Sequence, residues 1–131
     1  MTEEKKKRIR GFAGVVSKQI EPLNEIEKFK EDFKDRTVKI LLNATDGKYA
    51  ALIVIDKGTI YVEEVKNTPK ENVKKKNAGW DGRLQAKTDA FVNLLTSEDL
   101  SLGSVLGQIL TFKIRIRGLR KALTLLELFK Y

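Results

Sequence analysis

Seven consecutive apolar residues, Tyr49-Ala50-Ala51-Leu52-Ile53-Val54-Ile55, stand between two glycine turns, Asp46-Gly47 and Lys57-Gly58. The run is far short of the roughly 20 residues that cross a bilayer. It is also too apolar for a strand wetted on one face, so it reads as a central strand, buried on both sides. The turns decide its neighbours. Asn43-Ala44-Thr45-Asp46-Gly47 joins it to Val38–Asn43, and Asp56-Lys57-Gly58 turns it tightly into Thr59–Val65. The middle of the chain is therefore predicted to be an antiparallel meander.

Helical spacing flanks this meander. Ile9, Phe12, Val15, Val16 and Ile20 recur at helical spacing in a first helix, whose start Gly11 and Gly14 weaken. Pro22 suits the first turn of a second, whose stripe is Leu23, Ile26, Phe29 and Phe33. Beyond the meander, Asn67 to Asp81 reads as a basic, mobile loop ending near the single Trp80, which either caps the core edge or guards a pocket mouth. A strand over Arg83–Thr88 follows, then a helix from Asp89 with Phe91, Leu94 and Leu95 on its inner face. A second helix carries Leu102, Val105, Leu106, Ile109 and Leu110, thinned by Gly103 and Gly107. Strand 111–117 alternates, sending Phe112, Ile114 and Ile116 one way and Lys113, Arg115 and Arg117 the other. The last helix bears Leu119, Ala122, Leu123, Leu126 and Phe129 on one broad stripe, which Leu125 and Leu128 widen. The predicted order is ααβββ–loop–βααβα in one domain over 1–131, with 1–10 a basic, mobile extension.

Composition narrows the chemistry. The 131 residues include no His and no Cys, which removes imidazole acid–base work, thiol nucleophiles, disulfides and the usual zinc sites. Glu63 and Glu64 point to opposite faces of a strand and do not form an acid/base pair. No glycine-rich phosphate loop is present. The chain is expected to be non-catalytic, without metal or cofactor. With no membrane-spanning run and no signal-peptide h-region, it is expected to be soluble and cytoplasmic.

A net charge of +8 makes an anionic partner reasonable. Lys113, Arg115, Arg117, Arg120 and Lys121 form one basic group, which Arg83, Gln85 and Lys87 extend if the two strands lie close. Three readings stay open for it. It keeps an exposed sheet face soluble, docks on anionic membrane, or grips a phosphate of coenzyme A or nucleic acid. No aromatics interleave with it for base stacking.

Thr88-Asp89-Ala90-Phe91 through Leu94-Leu95, the small-residue helix Leu102–Leu110, and Phe112-Lys113-Ile114-Arg115-Ile116-Arg117-Gly118 followed by Ala122 and Leu123 resemble the sterol carrier protein 2 (SCP2) domain. The match includes an Ile-x-Ile-x-Gly strand and runs from about Phe12 onward. The chain departs from the family at Thr96-Ser97-Glu98-Asp99, where a Gly is usual. The resemblance implies an α+β fold: a five-stranded mixed, largely antiparallel sheet with helices packed on one face over an apolar cavity. It implies a lipid or fatty acyl ligand, isoprenoid or sterol-like molecules included, held without being consumed.

From the residues alone, the aliphatic last third is either core or the wall of a hole; the resemblance favours the hole. Its expected lining is Trp80, Phe91, Leu94, Leu95, Leu102, Val105, Leu106, Ile109, Leu110, Phe112, Ile114, Leu119, Leu123 and Leu126, with Lys113, Arg115, Arg117, Arg120 and Lys121 outside it to meet anionic surface. The alternative is a basic, solid-cored module that binds nucleic acid or a protein partner through its sheet face.

Overall fold

The computed structural model describes residues 11–67, 73–74, 78–91, 114–122 and 124–128, with the backbone alone at 119, 122 and 126. Helix α1 (Gly11–Ile20) leads through a 3₁₀ turn (Glu21–Glu25), with Pro22 in its first turn, into the short α2 (Glu27–Asp32). Strands β1 (Thr37–Ala44), β2 (Tyr49–Asp56), β3 (Thr59–Lys66), β4 (Gly82–Ala86) and β5 (Arg115–Arg117) follow, and helices α3 (Leu119–Ala122) and α4 (Thr124–Leu128) close the described chain.

The sheet order is β3-β2-β1-β4-β5, with β1 and β4 parallel and every other pair antiparallel. The expected five-stranded, largely antiparallel sheet is what forms. β2 is buried from Ala50 to Ile55, as a central strand without polar alternation must be. Its hairpin to β3 is set by the two residues between the paired Asp56 and Thr59. Lys57 (φ 49) and Gly58 (φ 89) both take the positive φ that such a turn needs to match strand twist.

At the open edge, Ile60 of β3 exchanges two 2.8 Å hydrogen bonds with Asn24. The Asn24 Nδ2 donates to the Ile60 carbonyl, and the Ile60 N–H donates to Oδ1. A side-chain amide thus occupies backbone groups that would otherwise template another strand.

Strand parity sorts the core into two clusters. On the helix side, Ile40 and Leu42 of β1, Ala51, Ile53 and Ile55 of β2, Ile60 and Val62 of β3 and Leu84 and Ala86 of β4 pack against Val16, Ile20, Phe29, Phe33, Leu125 and Leu128. The second cluster lies on the outer face, where Leu41, Leu52 and Val54 are covered by Val73 and Trp80. Topology produces that cover. Because β3 and β4 both run parallel to β1, the chain leaves β3 at one end of the sheet and must begin β4 at the other. Its return path crosses the outer face.

The described parts of this return path are hydrogen-bonded to the sheet and to one another. Asn67 Nδ2 donates to Asn43 Oδ1 and to the carbonyls of Ala44 and Gly47. The Trp80 indole N–H donates to the Val73 carbonyl at 2.8 Å. Asp81 clasps Lys39, its N–H donating to the Lys39 carbonyl at 2.7 Å and its Oδ2 accepting from the Lys39 N–H at 2.9 Å.

Candidate functional site

The helix-covered face is one continuous apolar surface, and three devices hold its rim. Asp46, in the β1–β2 turn, accepts 2.8 Å hydrogen bonds at Oδ1 from both the N–H and the hydroxyl of Thr88. Those bonds hold the Asp46 carboxyl below the usual carboxylate range. They also anchor the helical residues 88–91, which deliver Phe91 into the core, fully buried and 5.2 Å from the Phe12 ring.

At the far side, Ile114 is buried and Ile116 half-buried against the same cluster, while Arg115 and Arg117 are exposed. That is the alternation expected of strand 111–117, seen in its described part. Across the base, Arg36 donates to Glu127 at 3.1 Å and lies 4.3 Å over the Phe33 ring, pinning α4 to the end of α2.

Of the predicted lining residues, Phe91 and Ile114 meet on this face. Trp80 does not. It lies in the outer cluster, because the crossover to β4 passes over that face and its indole bonds to Val73 there. Leu119 falls on α3 and Leu126 on α4. Leu94, Leu95, Leu102, Val105, Leu106, Ile109, Leu110, Phe112, Lys113 and Leu123 lie outside the described residues. Of the predicted anion-facing group, Arg115, Arg117, Arg120 and Lys121 are exposed.

A cleft of about 640 Å³ opens on the outer face at the β4–β5 edge, between Trp80, Arg83, Arg115, Arg117 and Gly118. Register builds it: Arg83 pairs directly with Arg117, and Gln85 with Arg115. Residues directly opposite in an antiparallel pair share a face, so three guanidiniums emerge together. Gly118 closes the floor. Its φ of 63 is left-handed, and a Cβ there would collide with the Asp81 carbonyl oxygen.

Arg83 is the least comfortable member. Its guanidinium sits 5.3 Å from the Trp80 ring centre, and its Nε is buried without a hydrogen-bond partner. Burial, and then the neighbouring Arg117, lower its pKa. The alternation of charge in 111–117 pointed toward this surface, but only the β4–β5 pairing reveals that Arg83 faces Arg117. Among the described residues no group of carboxylates could hold a metal ion.

No protein-family model and no curated protein sequence matches this chain. Among solved structures it is similar to a "UbiJ-SCP2 Ubiquinone synthesis protein", at 8% identity and a TM-score of 0.57, over 90% of this chain and 84% of that one. It is also similar to sterol carrier protein-2 like-3 from Aedes aegypti, at 19% identity and a TM-score of 0.48, over 85% of this chain and 98% of that one. The first likeness is one of fold, and the chain has the SCP2-like fold: a five-stranded mixed sheet with helices.

Proposed function

We propose that this chain is a non-catalytic, cytoplasmic lipid-binding protein that carries an acyl, isoprenoid or sterol-like molecule against the helix-covered face of its sheet. The observation that carries the reading is the bracketing of segment 92–113. Phe91 immediately before it and Ile114 immediately after it are both buried in the core of that face. The segment between them is rich in aliphatic residues, running through Leu94, Leu95, Leu102, Val105, Leu106, Ile109, Leu110 and Phe112. In this reading those side chains, with Leu119, Leu123 and Leu126, wall an apolar chamber over the sheet. Burial of ligand methylenes drives binding at about 0.8 kcal/mol per CH₂. Selectivity among chain types is low, because few polar groups face the ligand.

The SCP2-like fold supports this reading, and so does the absence of polar residues from the described helix-side surface of the central strands. Exposed Arg115, Arg117, Arg120 and Lys121 support visits to anionic bilayers, each basic residue near the surface adding about 1 kcal/mol. Native mass spectrometry of the protein as purified from cells tests the carrier reading. A bound lipid mass, lost on delipidation and regained with a fluorescent fatty acid, is the expected result. An apo mass together with no uptake of that fatty acid rejects it.

A further inference from the structure

The outer-face cleft has its own chemistry, and it does not depend on what the other face holds. Arg83 and Arg117 are direct cross-strand partners, and Arg115 lies two residues from Arg117 on the same side of β5. Like charges placed directly opposite destabilise a sheet. Among the described residues no ion pair offsets them: Lys28 pairs with Asp32, Lys34 with Glu31 and Arg36 with Glu127, all remote from the cleft. The one carboxylate in its lining, Asp81, is engaged by the Lys39 N–H. Gln85, opposite Arg115, already accepts from Asn43 Nδ2 at 3.1 Å.

Arg83 cannot swing freely to relieve the crowding, because its guanidinium rests near the Trp80 ring and its Nε is buried unpaired. Trp80 is itself held by its bond to the Val73 carbonyl. The result is a preset cluster of three guanidiniums with one carboxylate in the lining, Asp81, whose Oδ2 is already bonded to the Lys39 N–H.

We propose that the cleft between Trp80, Arg83, Arg115, Arg117 and Gly118 binds a phosphate group. One guanidinium fork satisfies a carboxylate, whereas several converging forks suit the three or more oxygens and up to two charges of a phosphate. A volume of about 640 Å³ exceeds what a bare phosphate fills and leaves room for the group esterified to it. That group is either the glycerol of an acidic phospholipid headgroup or the body of a soluble phosphate ester.

The protein's only tryptophan, in contact with Arg83, supplies the readout. Trp80 fluorescence is titrated at fixed ionic strength with glycerol 3-phosphate, and separately with phosphatidylcholine vesicles carrying phosphatidic acid. Acetate and oleate-containing vesicles of matched charge are the controls. Saturable, one-to-one binding that prefers phosphate is expected, weakened roughly tenfold or more by Arg83→Gln or Arg117→Gln and unchanged by Lys18→Gln, at an exposed position on α1. Response to vesicles alone identifies a lipid headgroup, and response to glycerol 3-phosphate alone identifies a soluble ester. Should Arg83→Gln not fold, Arg115→Gln and Arg117→Gln, both at exposed positions, carry the same comparison. Equal binding of phosphate and carboxylate, equal loss in Lys18→Gln, or no binding of either probe overturns the proposal.

Discussion

The two faces of this sheet are built from the same five strands and have opposite characters. The helix-covered face is apolar across its middle, with Val62, Ile53 and Ile40 paired in one row and Ala51, Leu42, Leu84 and Ile116 in the next. The outer face changes along the same path. It is apolar over β1 and β2 beneath Val73 and Trp80, amide-lined at Asn43, Asn67 and Gln85, and cationic at Arg83, Arg115 and Arg117. A uniform apolar face can serve as core or as a ligand wall with little change in sequence. A patterned polar face has positions whose groups must each find a partner, and Arg83 has not found one within the fold. The lesson is that one face holds the protein together while the other presents it.

Truncating a core side chain on the helix-covered face and removing a cation from the outer face should therefore differ in sign. Phe91→Ala, on the helix side, should have the largest effect, a loss of about 3–5 kcal/mol from the cavity left at a fully buried ring. Chemical denaturation measures it, and a loss under 1 kcal/mol would show that the ring is not a core member. Gly118→Ala should follow. The left-handed backbone alone accounts for about 1–3 kcal/mol, and the collision with Asp81 adds to that. Thermal melts should fall by roughly 3–5 °C per kcal/mol.

Arg83→Met should run the other way, leaving stability unchanged or raised by up to about 1 kcal/mol, because it removes a desolvated charge facing Arg117. A clear loss would mean that the guanidinium is paired and that the contrast between the faces is overstated. The smallest effect concerns the rim. The Asp46 carboxyl is held below its ordinary range by Thr88, so its contribution is present above about pH 4 and is lost as pH falls through the lowered value. The stability difference between wild type and Asp46→Asn should shrink on acidification, and a difference constant down to pH 2 would rule out the charged interaction.

Much of this fold is legible in the residues because local chemistry and packing agree. Lys57-Gly58 dictates the hairpin, the run Tyr49–Ile55 dictates a central strand, and the register follows from both. Residues 114–117 alternate as their sequence requires. Trp80 lies on the outer face and not on the helix side, and its neighbours in sequence do not state which face the crossover takes. The parallel pairing of β1 with β4 does, and that contact joins residues about forty positions apart. For the same reason the Arg83–Arg117 opposition becomes visible only when β4 and β5 are aligned. Asp46 reads as a turn residue and is one; its bonds to Thr88, like that of Asp81 to Lys39, are long-range facts.

The division between the faces is tested most directly by locating a bound lipid. Delipidated protein is loaded with a fatty acid carrying a photoreactive diazirine, irradiated, and mapped by peptide mass spectrometry. The expected result is one adduct per chain, confined to peptides from 88–128 and the helix-side strands and competed away by unlabelled fatty acid. Adducts confined to the outer-face peptide 73–83, or none above an irradiated control without competition, would contradict an apolar ligand on the helix-covered face.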